Sequence, residues 1–289
     1  MDKWVFLNND FVTNDKAVLS IYDHGFMYGD GVFEGIRVYG GIIFKLYEHV
    51  KRLYKGLKAL HIDIPIDEKK LASKMLKLVE LNEVTDAYMR ITVSRGVCLG
   101  LDPRNIKTPP TVVISTDKLS LYPESAYENG LNVVTVATRI ANPHVVENRI
   151  KATGKYLINI QAKIEANMVG AGEGLMLTEN GFVGECTGDN IFFIKDEKIY
   201  TPPAYLGILE GITRGVAIEV AQNLGYDIIE GVFTRFDLYT ADEAFLTGTA
   251  AEVIPMVELD SRKINDGKSG KITKELISAF RKYVKDYKY

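Results

Sequence analysis

Helical spacing of apolar residues marks two segments in the first third of the chain. The segment YEHVKRLYKGLKAL carries an apolar stripe at intervals of three and four residues, and Arg52 lies on the same predicted helix. The segment DEKKLASKMLKLVELN has a similar stripe, and Asp67 before it predicts an N-cap. The stripes consist of Val50, Leu53, Leu57 and Leu60, and of Leu71, Met75, Leu78 and Val79.

Alternation of apolar and polar residues predicts strands. In AYMRITVS, Met89, Ile91 and Val93 would share a buried face, while the polar face could line a pocket. The chain start, MDKWVFLNNDFV, predicts a short hairpin with an Asn-Asn-Asp turn. Further strands are predicted at Thr111 to Thr116, Leu131 to Thr138, Gly174 to Glu185 with an Asn180-Gly181 turn, and Asn190 to Lys195; later helices are predicted at Tyr156 to Met168, Gly211 to Leu224 and Ile272 to Tyr287.

A stretch rich in proline, glycine and polar residues, DKLSLYPESAYENG, separates two mixed parts of the chain. A length of 289 residues allows about two domains. We therefore expect an α+β protein with a small N-terminal domain at 1–120, a linker at 121–130 and a large C-terminal domain at 131–289.

Composition narrows the function classes. The net charge of −3 shows no basic excess, which argues against nucleic-acid and membrane-surface partners. No segment reads as a signal sequence or is long and apolar enough to span a bilayer, so a cytoplasmic protein is expected. Cys98 and Cys186 form no CxxC and are expected to be reduced thiols. The four histidines have no metal-ligand spacing, and no metal is expected.

The segment from Ile150 to Asn190 orders four groups that suit pyridoxal phosphate. Lys151 ends an extended run, Tyr156 opens a helix five residues later, and Glu185 and Asn190 follow. This cofactor needs an amine for a Schiff base, a carboxylate near its ring nitrogen and a seat for its phosphate. Lys155 is a competitor for the amine, but the spacing to the tyrosine favours Lys151.

Two anion seats are predicted after the lysine. In LEGITRGVAIEVAQNLG, Gly211 and Thr213 open an amphipathic helix whose first N–H groups would face an anion. In LTGTAAEV, Thr249 and two small residues lie where a strand breaks into a loop, which allows close backbone approach.

Seven blocks then give the chain a family resemblance. They are YDHGFMYGDGVFEGIRVY, YEHVKRL, AYMRITVSRG, KATGKY, GECTGDNIF, LEGITR and FLTGTAAEV. In order and spacing they resemble the class IV (fold type IV) pyridoxal phosphate aminotransferases, most of all the branched-chain amino acid aminotransferases. The resemblance runs over nearly the full length. It implies the D-amino acid aminotransferase-like two-domain fold, with the cofactor at the domain interface and the Schiff-base lysine in the C-terminal domain.

The resemblance also implies a role for each matching residue. Lys151 would be the catalytic lysine and proton shuttle, Tyr156 would bind the cofactor's phenolic oxygen and Glu185 its ring nitrogen. Arg52, Ile212, Thr213 and Thr249 would hold the phosphate. The substrate-binding set would be Tyr28, Phe33 and Gly35 as an apolar wall, Tyr88 and the amides of Thr249 and Ala250 for the α-carboxylate, and Arg90 for the side-chain carboxylate of glutamate.

The implied activity is a ping-pong transfer of the amino group of L-leucine, L-isoleucine or L-valine to 2-oxoglutarate, as in amino-acid biosynthesis. The implied assembly is a homodimer or a multiple of dimers, because class IV sites are completed by a neighbouring subunit's loop. Two alternatives share the fold: D-amino acid transamination, in which the tyrosine-x-arginine of the pocket strand is usually not found, and 4-amino-4-deoxychorismate lyase, whose pocket takes a bulky ring. A non-enzymatic protein with a decayed site is a third. Cys186 departs from the family, where glycine usually follows the glutamate, and so does the NPHVVEN stretch before the lysine.

Overall fold

The computed structural model describes residues 3–118 and 122–289, which form two compact units. The first unit contains residues 3–118 together with Ile150–Lys155 and Tyr287–Tyr289. The second unit contains residues 122–149 and Tyr156–Asp286. Each has its own sheet and its own hydrophobic core, so the predicted α+β class is observed.

The first unit is built on an antiparallel sheet with the strand order β2-β1-β6-β5-β3-β4. Two amphipathic helices, α2 and α3, contribute their apolar stripes to its core. The predicted cap is present, because the Asp67 side chain accepts a hydrogen bond from the Lys70 amide at 2.8 Å. The elements are β1 (Trp4–Leu7), β2 (Asp10–Thr13), α1 (His24–Tyr28), β3 (Gly31–Tyr39), β4 (Ile42–Ile43), α2 (Leu46–Ala59), α3 (Glu68–Leu81), β5 (Ala87–Ser94) and β6 (Thr111–Asp117).

The second unit contains a mixed sheet with the order β12-β11-β10-β13-β14-β7-β8-β9, and β15 pairs with β14. The pairs β11/β12, β14/β7 and β7/β8 are parallel, and the others in this order are antiparallel. The elements are α4 (Glu124–Asn129), β7 (Leu131–Thr135), α5 (Tyr156–Met168), β8 (Glu173–Leu177), β9 (Val183–Cys186), β10 (Asn190–Lys195), β11 (Lys198–Thr201), α6 (Ile212–Asn223), β12 (Ile228–Glu230), α7 (Arg235–Tyr239), β13 (Glu243–Gly248), β14 (Glu252–Leu259), β15 (Arg262–Lys263) and α8 (Lys271–Asp286).

The units differ from the predicted division of the chain at one functionally relevant place. Ile150–Lys155, which carries the candidate lysine, groups with the first unit and not with the rest of 131–289. The cause is main-chain pairing: the Phe33 amide donates to the Lys151 carbonyl at 3.0 Å, and the Thr153 amide donates to the Gly31 carbonyl at 2.9 Å. Residue 121, the first of the predicted linker, lies outside the described residues, and α4 occupies most of the remainder.

The C-terminal residues also belong to the first unit. The Tyr289 hydroxyl accepts a hydrogen bond from the Ile43 amide at 2.7 Å, and the Tyr287 ring meets Phe44 edge to face at 5.0 Å. Within the described parts of the chain, no helix combines the length and the apolarity needed to cross a bilayer.

Candidate active site

One face of the β3/β5 pair carries most of the predicted substrate residues. The register places Phe33 opposite Thr92, Gly35 opposite Arg90, and Arg37 opposite Tyr88, so these side chains share a face. Gly35 is needed there, because a methyl group at this position would collide with the hydroxyl end of Tyr88. The tyrosine therefore lies directly over the glycine.

Two cationic side chains, those of Arg90 and Lys151, lie over the ring of Phe33. The Arg90 guanidinium lies 4.1 Å and the Lys151 amine 4.9 Å from the centre of its ring. Both distances are within the range of cation–π attraction. The Lys151 backbone is fixed next to the same residue by the hydrogen bond from the Phe33 amide. The candidate lysine and the candidate carboxylate-binding arginine are thus brought together by one aromatic side chain.

Tyr28 and Lys155, which were also considered from the sequence, differ in their exposure to solvent. Tyr28 is the last residue of α1 and is 41% exposed. Its ring meets His24 edge to face at 5.0 Å. His24 is buried and hydrogen-bonded, with ring nitrogens 3.1 Å from Asp30 Oδ2 and from the Gly100 carbonyl. Lys155, the competing amine, is buried.

Arg52 is held by a buried carboxylate that was not predicted. Its Nε and Nη2 donate to the two oxygens of Glu34, each at 2.7 Å, in a two-pronged ion pair. His49 Nδ1 lies 2.8 Å from Glu34 as well. Burial raises the pKa of Glu34, but Arg52 and His49 outweigh it and lower that pKa to about 2. Burial lowers the pKa of His49 despite Glu34, so this imidazole is neutral at pH 7 and donates to the carboxylate.

In the second unit, Glu185 is oriented by two donors. It lies within β9, on the second strand of the predicted hairpin, and its side chain is buried. The Leu209 amide donates to its Oε2 at 2.9 Å and the Asn190 amide group donates to the same oxygen at 3.2 Å. Tyr156 is the first residue of α5, as predicted.

Both predicted anion seats have the expected backbone. The helix α6 begins at Ile212 with Gly211 as N-cap, and no side chain caps it. Its first N–H groups therefore point out of the helix end without a capping partner in the described chain. Thr249 and Ala250 lie in the turn between β13 and β14. Just before this turn, the Thr247 hydroxyl is buried without a hydrogen-bond partner among the described residues.

Two further residues, one in each unit, lacked a predicted role. Arg37 shares the face of Gly35 and Tyr88, and its Nε is buried with no hydrogen-bond partner among the described residues. Alternation along VFEGIR, which puts Arg37 two residues after Gly35, is the signal that could have identified it. Asn190 was singled out without a role, and its contacts with Glu185 now supply one.

Metal binding and thiol chemistry are the other functions to consider for the described residues. They contain no group of three or more histidine, cysteine and acidic side chains arranged to hold a metal ion. Cys98 and Cys186 are free thiols. Burial, together with the neighbouring carboxylates of Glu173, Asp189 and Glu185, raises the pKa of the Cys186 thiol, so it is a poor nucleophile.

Comparison with known proteins gives consistent matches over nearly the whole chain. The family model for amino-transferase class IV matches residues 31–259. A protein of Methanocaldococcus jannaschii, provisionally named as a branched-chain-amino-acid aminotransferase, is 44% identical over 96% of this chain and 95% of its own. The crystal structure of an Escherichia coli branched-chain amino acid aminotransferase superimposes with a TM-score of 0.95 at 31% identity, covering 98% of this chain and 95% of that one. The branched-chain amino acid aminotransferase of Thermobaculum terrenum superimposes with a TM-score of 0.88 at 28% identity, covering 98% of this chain and 94% of that one.

Proposed function

The chain belongs to the class IV aminotransferases, within the branched-chain amino acid group, and on that premise we propose that it moves the amino group of L-leucine, L-isoleucine or L-valine to 2-oxoglutarate. The observation that carries this proposal is the shared face of β3 and β5. It offers an apolar surface at Phe33 and Gly35 beside the positive charge of Arg90. Such a surface suits an aliphatic side chain in one half-reaction and an acidic one in the other.

The cofactor is pyridoxal phosphate, and the residues present fit it. The uncapped start of α6 and the buried Thr247 hydroxyl provide polar groups that lack partners within the described chain. The related structure from Thermobaculum terrenum is described as the form that holds pyridoxal phosphate. When bound, the cofactor supplies an aldehyde that accepts the amino group and a ring that withdraws electrons from the substrate.

We propose a holding role for each cofactor residue. Lys151 provides the amine for the covalent link, Tyr156 hydrogen-bonds the phenolic oxygen, and Glu185 pairs with the ring nitrogen. Arg52 and the backbone at Ile212, Thr213 and Thr249 hold the phosphate. The ion pair to Glu34 supports this role for Arg52, because it fixes the direction of the guanidinium before any ligand arrives.

The proton transfer is assigned to Lys151. Released from its covalent link, the Lys151 amine would accept the proton from the substrate's α-carbon and would deliver it to the cofactor's aldehyde carbon. Its position over the Phe33 ring limits where the amine can go. The buried Phe33 ring also keeps water away from the side of the Lys151 amine that faces it.

Substrate orientation is assigned to residues from three elements. Tyr88 and the amides of Thr249 and Ala250 bind the α-carboxylate. Tyr28, Phe33 and Gly35 form the wall for the aliphatic side chain, and Arg90 binds the distal carboxylate when glutamate or 2-oxoglutarate is present. Only the acidic substrate carries a second carboxylate for Arg90 to bind. One pocket can therefore accept both the aliphatic and the acidic substrate.

A single half-reaction tests the proposal. L-Leucine or D-alanine is added to the purified enzyme loaded with pyridoxal phosphate, and the long-wavelength absorbance of the bound cofactor is followed. Bleaching with L-leucine alone is expected. Bleaching with D-alanine alone would assign the enzyme to the D-amino acid branch, and no bleaching with either would favour the lyase.

We also propose that the chain acts as a homodimer or a multiple of dimers. Several large apolar side chains of the first unit are exposed in the single chain, among them Leu19, Ile21, Phe26, Leu99 and Leu101. Burial of these residues by a second copy is expected, and sedimentation that finds only an active monomer would contradict it. Cytoplasmic residence is proposed too, and cell fractionation tests it.

A further inference from the structure

The side chain of Asn190 joins two parts of the second unit that have separate proposed roles. Its Nδ2 donates to Glu185 Oε2 at 3.2 Å and to the Leu209 carbonyl at 3.0 Å. Both neighbours are acceptors, so the orientation of the amide is determined by its surroundings. The residue is 4% exposed, and water therefore cannot replace these bonds easily.

The main chain of Leu209 hydrogen-bonds both to Glu185 and to Gly211. Its amide donates to the same oxygen of Glu185 at 2.9 Å, and its carbonyl also accepts the Gly211 amide at 2.9 Å. Gly211 is the N-cap of α6. A continuous set of hydrogen bonds thus leads from the Glu185 carboxylate through Asn190 and Leu209 to the start of the helix.

Close packing makes this connection stiff. A methyl group on Gly211 would collide with Asn190 Oδ1, so the glycine is required for the helix start to approach the asparagine. Asn190 itself is fixed in β10, where it pairs with Thr247 of β13. The asparagine therefore cannot move without moving either the carboxylate or the helix start.

We propose that Asn190 is a positioning residue that couples the Glu185 carboxylate to the anion seat at the start of α6, so that binding at one strengthens binding at the other. This inference rests on the proposed function, in which Glu185 meets the cofactor's ring and α6 meets its phosphate. The coupling is reciprocal, because each ligand must favour the same arrangement of the shared hydrogen bonds.

The coupling is tested by supplying the cofactor as two separate molecules, one that carries the ring and one that carries the phosphate. Pyridoxal, which lacks the phosphate, and inorganic phosphate are titrated separately and together into the apoenzyme, and the dissociation constant of pyridoxal is measured by absorbance. In the natural chain, saturating phosphate is expected to tighten pyridoxal binding about five-fold, the lower end of ordinary coupling. In Asn190→Ala the factor is expected to fall to about one.

Two further variants separate coupling from general stability. Asn190→Asp keeps the shape but replaces the donor, and it is expected to lose the coupling as well. Thr201→Val removes another buried hydrogen bond next to β10, from the Thr201 hydroxyl to the Ile191 carbonyl at 2.9 Å, and is expected to lower thermal stability while keeping the roughly five-fold factor. An unchanged factor in both Asn190 variants, or a factor of about one in the natural chain, would overturn the inference.

The two proposals fail in different ways. If the natural apoenzyme binds no pyridoxal phosphate at all, the proposed function fails and the coupling fails with it. If it binds the intact cofactor but phosphate and pyridoxal bind independently, only the role of Asn190 is refuted.

Discussion

The ion pair between Glu34 and Arg52 predicts that the free energy of unfolding decreases as the pH is lowered. Glu34 is fully buried, and its pKa falls from 4.5 to about 2. At 1.36 kcal/mol for each unit, that shift corresponds to about 3 kcal/mol of stability at pH 7. The folded pKa is the lower one, so this contribution is present above pH 4.5 and is lost as the pH falls toward 2.

The perturbation is Glu34→Gln, which keeps the shape but removes the charge facing Arg52. Urea unfolding at a series of pH values is expected to give a free energy of unfolding about 3 kcal/mol lower for the variant at pH 7, because the partly buried Arg52 is left without its counter-charge. The difference is expected to shrink steadily below pH 4.5. Other carboxylates titrate in both proteins and cancel in the comparison.

The matched control is Glu80→Gln. Glu80 forms an exposed pair with Lys77 at 3.0 Å, and the loss of such a pair costs less than about 1 kcal/mol. A difference between Glu34→Gln and the natural chain that stays constant from pH 7 to pH 3 would refute the reasoning, because it would mean that the ionisation of Glu34 contributes nothing.

Three further predictions concern the site. Lys151→Ala is expected to abolish the long-wavelength absorbance of the bound cofactor and nearly all turnover, whereas Lys155→Ala keeps both; the opposite pattern in absorption spectra would reassign the amine. Gly35→Ala should displace the tyrosine hydroxyl above it and raise KM for L-leucine at least about ten-fold, while Gly215→Ala, which meets open space, leaves kinetics unchanged. Arg90→Met should slow the half-reaction with L-glutamate about 30-fold or more and leave that with L-leucine within about two-fold; equal losses in stopped-flow traces for both would contradict the assigned role.

Local sequence patterns predicted the regular elements well. The α3 helix begins after Asp67 as its cap requires, and β10 and α5 have the predicted bounds. The strand β7 is shorter than predicted and ends at Thr135. Short elements such as α1 gave no periodic signal, since five residues complete little more than one turn.

The site was predictable by residue but not by its supporting contacts. Alternation placed Tyr88 and Arg90 on one face, and the observed register agrees. The Glu34 carboxylate that holds Arg52 could not be identified, because which of the many acidic residues faces an arginine depends on how a strand packs against a helix. The roles of individual residues toward cofactor and substrate came from the family resemblance and stay predictions.

The first unit combines residues from the start and from the end of the chain, which has a consequence for synthesis on the ribosome. Its sheet is encoded by residues 3–118, yet Tyr289 supplies the acceptor for the Ile43 amide and Tyr287 covers Phe44. At about 5–20 residues per second, these tyrosines follow the last strand of that sheet by about 10 to 30 seconds. During that interval the nascent first unit exposes an amide and an aromatic ring that the finished protein covers, and this is the period in which a chaperone has a surface to bind.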